Sequence, residues 1–201
     1  KFFYLSFSII TYKYKDKFNK KIYTIMKVMR QTEDQINGLK DLIDFMGTKD
    51  AKMLEIGSYL GESAKIFAES KKFSKIHCLD LWAGGYDQSD YASQNMAGVE
   101  DIFMKFKLQF PELIISHKNN SSEVSSLFED NYFDFIYIDG NHTYESVESD
   151  IKACIPKIKS GGYIAGHDYN YPLYSVKKVV DKIFSSPDAI FSDTSWIKKI
   201  N

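Results

Sequence analysis

The stretch that most limits what this chain can become is residues 53–63, MLEIGSYLGES. Met53, Leu54, Glu55 and Ile56 read as a short buried strand. Gly57 breaks it, residues 58–60 turn, and Gly61 leads into residues 63–68, whose apolar spacing reads as a helix. Strand, glycine turn and helix is how an α/β fold presents helix N-terminal amides to a ligand beyond a strand end. Glycines at 57 and 61 permit positive φ and a close backbone approach. Their spacing is GxxxG, not the GxGxxG that a dinucleotide pyrophosphate needs, and this points away from NAD.

On either side the pattern alternates. Thr32 with Gln35 reads as a helix start, Ile36, Leu39, Leu42, Ile43 and Met46 recur at helical spacing, and Gly47 ends the helix. Further strands are predicted at 75–82, 113–117, 133–139 and 163–166, and helices at 94–109, 122–129, 143–158 and 174–184. Residues 189–191 and 195–200 suit a terminal hairpin. Strands alternating with helices imply right-handed crossovers and a mostly parallel sheet. Glu55, Asp80, Asn120, Asp139 and Asp168 then gather at the carboxyl ends of strands, where open α/β sheets bind ligands, so one site accounts for all five.

Charge narrows the partners. Residues 1–25 hold six Lys and one Asp, +5, which leaves 20 bases against 26 acids, −6, for residues 26–201. An acidic body argues against nucleic acid as the main partner. Residues 1–25 read as an unstructured leader and 26–201 as a single domain, long enough to bury a large core. The apolar run at 2–10 is too short to span a bilayer and no small-residue cleavage site follows it; nothing later resembles a membrane span. Cys78 and Cys154 lack metal spacing and read as buried thiols in a reducing, cytoplasmic setting.

From residue 53 to 169 the chain resembles the class I S-adenosylmethionine-dependent methyltransferases, most of all the small-molecule O-methyltransferases of the catechol and the sugar and macrolide types. The resemblance rests on the glycine turn, on FIYIDGNHTY at 135–144 and on GGYIAGHDY at 161–169. It implies a Rossmann-like, doubly wound, seven-stranded sheet with an antiparallel C-terminal hairpin. It also implies S-adenosylmethionine as cofactor, with Glu55, Gly57, Tyr59, Gly61 and Ser63 around the methionine part. A carboxylate suits amides at a helix N-terminus. Asp80, with Leu81 beside it, falls where the family holds the ribose hydroxyls, Asn120 and Ser121 where it contacts adenine, and Asp139 closes the set. Asp139 and Asp168 are similar to the family's ligands for a divalent cation such as magnesium or manganese. His167 stands where an acid is usual; as residues of a regular strand, His167 and Asp168 would point to opposite faces, so both are ligands only if the strand has ended. His142 lies where related enzymes carry a general base, helix capping being its plainer role, and Asp139 is paired with it in catalysis. His77 and His117 fit ordinary structural positions. Trp82, Tyr86, Tyr91, Tyr169 and Tyr171 are expected around the pocket. The reading is an enzyme methylating a hydroxyl of a small acceptor, with oligomeric state left open. Its alternatives are a metal-independent N- or C-methyltransferase, an NAD-linked oxidoreductase and a non-catalytic cofactor-binding domain.

Overall fold

Helix α1, Glu33–Met46, begins one residue after Thr32, carries Glu33 and Asp34 in its first turn, and buries Leu39, Leu42, Ile43 and Met46 along one face. It stops at Gly47, which takes φ 64° without a Cβ penalty. The structure, a computed structural model, describes residues 32–84 and 96–201; the expected leader and the tyrosines at 86 and 91 lie outside the described residues. Strand β1, Ala51–Ile56, is buried almost throughout, as a central parallel strand covered on both faces must be. It is followed by α2, Glu62–Glu69; β2, Phe73–Asp80; α3, Val99–Lys107; and β3, Ile114–Lys118. A short turn of 3₁₀ helix at Ser121–Glu123 runs into α4, Val124–Leu127, and then come β4, Phe133–Ile138, and α5, Tyr144–Cys154. The chain closes with β5, Ile158–Gly166; α6, Val176–Phe184; β6, Ala189–Ile190; and β7, Trp196–Lys199.

The sheet has seven strands in the order β3-β2-β1-β4-β5-β7-β6, all neighbours parallel except the β5–β7 and β7–β6 pairs. This is the expected doubly wound sheet with its antiparallel C-terminal hairpin. On one face Phe67 of α2 sits edge-on to Phe73, Phe135 and Tyr137, with ring centroids 5.2–5.8 Å apart. On the other, Val147 and Ile151 of α5 and Val179 and Val180 of α6 pack with Leu54, Ile56, Ile136 and Ile164. The strand order brings the carboxyl ends of β1, β2, β4 and β5 to one edge. Among the described residues no helix is long and apolar enough to cross a membrane. Cys78 and Cys154 are buried free thiols.

Four boundaries differ from the sequence reading. Helix α5 ends at Cys154, and Ile158 opens β5 instead of closing the helix. Pro156 is the cause, since proline lacks an N–H and clashes with the preceding turn; here it sits in the 3₁₀ turn Ile155–Lys157. Strand β5 is accordingly longer than 163–166: Ile158 pairs with Phe133 and Tyr163 with Phe135, so residues 159–162 bulge past Asp134. Lys159 returns across that bulge to Asp134 (2.7 Å). Strand β2 ends at Asp80, leaving Leu81 and Trp82 beyond it. The described part of the third expected helix starts at Val99, after Gly98 at φ 82°, so Met96 lies outside it.

His77 and His117, on adjacent strands, stack at 5.1 Å with Nδ1 of the first 2.9 Å from Nε2 of the second. Burial, with His117, Lys52 and Lys75 nearby, pushes the His77 pKa down to about 4. The unfolded chain therefore binds the proton first, and this contribution to stability is lost as pH falls from about 6.5 towards 4. Between pH 7 and pH 5 the loss expected from this residue is roughly 1–2 kcal/mol once partial solvent screening is allowed for. Guanidinium unfolding of the wild type and of His77→Phe at both pH values checks it: the variant should lose less, and equal losses refute the assignment.

Candidate active site

The ends of β1 and β4 meet where Gly57 lies against Asp139. The Gly57 N–H donates to the Leu79 carbonyl (2.9 Å) and the Asp139 N–H to the Ile56 carbonyl (2.8 Å). A Cβ at Gly57, which has φ 86°, would overlap the Asp139 carbonyl. The glycine is thus required by close approach as well as by its dihedral. Gly61, at φ 87°, precedes α2; there an added Cβ would strike the Phe106 ring.

Asp80 joins the first two strand ends. Its carboxylate accepts the Tyr59 N–H (2.8 Å) and the Trp82 N–H (2.6 Å), and the Trp82 indole N–H donates to the Tyr59 carbonyl (2.9 Å). Tyr59 and Trp82 have φ 44° and 45°, a left-handed conformation that costs on the order of 1 kcal/mol or more and persists only when neighbours fix it. Burial raises the Asp80 pKa, while the backbone amides of Trp82, Tyr59 and Leu81 oppose it. Each oxygen keeps a second lone pair for a ligand hydroxyl. Trp82 does not wall the cleft: it is buried against Phe103, centroids 4.8 Å apart.

Glu55 is fully buried and accepts the Ser63 hydroxyl (2.6 Å). Burial raises its pKa to about 7, against the pull of Ser58 and Ser63. Of the residues expected around the cofactor, Gly57, Asp80, Leu81, Asn120 and Ser121 line one open cleft. Glu55, Tyr59, Gly61 and Ser63 do not form its wall; they build the turn behind it. The cleft also takes in Asn119, Gly140, Asn141 and Ser146, which the sequence reading missed. Position directly after β3 and β4 was the signal available for the first three, whereas Ser146 lies within α5. Asn120 caps the 3₁₀ turn, its side chain accepting the Ser122 N–H and its own N–H donating to Glu123 (both 3.0 Å).

Gly140 and Asn141 are shared with an adjoining small cavity that holds Asp139, His142 and His167. His142 Nε2 lies 3.1 Å from Asp168 and 3.6 Å from Asp139, and one ligand atom from each of the three falls within 4.8 Å of the others. The ring lies flat on Tyr174 (4.0 Å, 8°), a contact absent from the sequence reading. Burial alone would lower the His142 pKa, but the two carboxylates outweigh it and hold it at about 10. Burial likewise opposes ionisation of Asp168, yet His142 and His167 keep its carboxyl well below the usual range. Strand β5 has ended at Gly166, and Asp168 takes φ 61°. His167 nonetheless stays out of the trio: its Nδ1 faces Asp168 (3.1 Å) and its Nε2 faces Asp193 (4.0 Å). The three residues brought together are Asp139, His142 and Asp168, with His142 in the place expected of His167. Tyr169 is buried and bonded to Asp181 (2.5 Å), whereas Tyr171 is exposed beside Tyr174.

A sheet of this order, with β7 alone reversed and a cleft over the ends of β1, β2 and β4, is the architecture of the class I S-adenosylmethionine-dependent methyltransferases. A Methanococcus maripaludis protein assigned to that class superposes with a TM-score of 0.61 at 21% identity, over 90% of this chain and 92% of its own. A SAM-dependent methyltransferase from Aquifex aeolicus gives 0.59 at 11% identity, over 88% and 96%. In sequence the chain is 24% identical over 159 residues to the uncharacterised protein R132 of Acanthamoeba polyphaga mimivirus, spanning 75% of this chain and 67% of the relative. It spans only 53% of a Galdieria sulphuraria structure of the same fold. Residues 54–169 match the model of the methyltransferase domain family, and the chain belongs to that family.

The contact at Gly57 predicts an order of damage. Gly57→Ala meets backbone and should cost roughly 2–4 kcal/mol and abolish S-adenosylmethionine binding. Gly61→Ala meets the side chains of Phe106 and Phe103, which can shift where backbone cannot, and should cost less. Thermal unfolding and calorimetric titration of both variants test the ranking, which the reverse order refutes.

Proposed function

We propose that this enzyme transfers the sulfonium methyl group of S-adenosylmethionine to a hydroxyl oxygen of a small acceptor, sugar or aromatic, with a divalent cation at the trio. The observation that carries the reading is the convergence of Asp139, His142 and Asp168 beside the cleft. Two carboxylates supply the oxygen ligands that magnesium or manganese takes, with the His142 imidazole beside them. Gly57, Asp80, Leu81, Asn120 and Ser121 bind the cofactor from the cleft wall, while Glu55, Tyr59, Gly61 and Ser63 hold the turn in shape. Asp139 and Asp168 hold the cation. When bound, it supplies a positive charge that lowers the pKa of the acceptor hydroxyl.

His142 is assigned the hydroxyl proton, and its surroundings set a condition on that role. Between these two carboxylates it is already protonated at neutral pH. It accepts a proton only when the charge of Asp139 and Asp168 is engaged elsewhere. The methyl group leaves sulfur as the C–O bond forms, the proton passes to His142, and S-adenosylhomocysteine remains; orientation contributes most, because the donor is already activated. A cytoplasmic setting, with neither nucleic acid nor membrane as substrate, completes the proposal.

The test is product mass spectrometry with a panel of hydroxylated and amine acceptors, with and without chelator. Methyl ethers whose yield falls about 100-fold with chelator support the reading; methylated amines, or ethers indifferent to chelator, overturn it. Residual activity after chelation should rise with pH towards about 10, as His142 loses its proton. Asp139→Asn and Asp168→Asn should each lower turnover about 100-fold with cofactor affinity kept within about threefold.

A further inference from the structure

The β6–β7 turn, far from the trio in sequence, reaches it through one buried carboxylate. Asp193 is 7% exposed. Its Oδ1 accepts the Ser195 N–H (3.0 Å) and its Oδ2 the Ser195 hydroxyl (2.7 Å). Ser195 Oγ in turn lies 3.1 Å from the buried Tyr137 hydroxyl of β4. On the far side Gly38 of α1 packs so closely that a Cβ there would overlap the Asp193 carboxylate. Neighbours from both sides thus fix this buried charge in place.

What Asp193 faces is His167. Its Oδ2 lies 4.0 Å from His167 Nε2, an ion-pair distance; His167 Nδ1 is 3.1 Å from Asp168 Oδ1, and Asp168 Oδ2 is 3.1 Å from His142 Nε2. Carboxylate and imidazole alternate along the whole line. The same turn holds the Asp168 loop by its backbone, since the Thr194 carbonyl accepts the Tyr169 N–H (3.0 Å). A carboxylate on one imidazole nitrogen fixes which way the other nitrogen is presented.

We propose that Asp193 is a positioning residue for methyl transfer: it orients the His167 ring, and His167 sets the carboxylate of Asp168 against His142. The inference rests on the trio being the reaction site, as proposed above. Sequence spacing gave no sign of it, because Asp193 lies 25 residues beyond Asp168 in a turn that a hairpin alone would explain.

The experiment uses the full chain and two probes that need no acceptor. The first is long-range ¹H–¹⁵N NMR of the four histidine rings in wild type, Asp193→Asn and Asp168→Asn. The second is calorimetric titration with Mn²⁺ alone. Asp193→Asn keeps an oxygen for the Ser195 N–H, so the hairpin is retained. The expected result is a shift of the His167 and His142 ring signals with His77 and His117 unmoved, and Mn²⁺ binding about tenfold weaker or more. S-adenosylmethionine affinity should stay within about twofold. Wild-type Mn²⁺ affinity with His142 unmoved overturns the inference while leaving the reading of the trio intact. If wild type itself binds no Mn²⁺, the cation reading fails, and the His142 shift alone decides whether Asp193 orients the line. Should Asp193→Asn fail to fold, His167→Gln cuts the same link and must weaken Mn²⁺ equally; unchanged Mn²⁺ affinity in that variant overturns the proposal.

Discussion

The missing side chain at Gly57 is the constraint on which the rest of the site depends. Strands β1 and β4 are neighbours, and their ends come together only because nothing projects from residue 57 towards the Asp139 carbonyl. That contact sets two things together: the turn that faces the cleft, and the start of the loop carrying Asp139, Gly140, Asn141 and His142. The open cleft and the acidic cavity are adjacent because one glycine lets two backbones touch.

Around this contact the molecule uses buried acids as internal struts. Glu55 holds Ser63, Asp80 holds Tyr59 and Trp82, and Asp193 holds Ser195 while facing His167. Burying a carboxylate is expensive, and each is offset differently. Glu55 is pushed up to about 7, close to neutrality, and Asp80 is matched by two amides. Asp168 stays ionised because two imidazoles face it. Tyr59, Trp82 and Asp168 all sit at positive φ beside these acids, so backbone strain collects where side-chain hydrogen bonds are there to hold it.

Much of this was legible in the chain. The period of the apolar residues gave the alternation of strands and helices, and acids at strand ends gave the edge where the site lies. What was not legible has specific causes. Ile158 suits a helix face and a strand alike, and only Pro156 separates the two readings. Glu55 follows the motif, yet a sequence does not say whether an acid points into a cleft or behind it. His142 joins the two acids where His167 was expected, because the direction of each ring is set by partners from other elements. Tyr174 and Asp193 were missed for the same reason: their roles exist only once α6 and the terminal hairpin fold back over the β5 loop.

The strand order has a further consequence for how the molecule is made. Strand β7 lies between β5 and β6, so residues synthesised late occupy an interior place in the sheet. Domains assemble from the N-terminus as the nascent chain emerges. Here β1 to β5 can pair in order on the ribosome, yet the edge of β5 stays uncovered until residue 199 has cleared the exit tunnel. Until then Trp196 and Asp193 are not in place, so a nascent chain whose β1 and β4 ends already meet still lacks the carboxylate that faces His167.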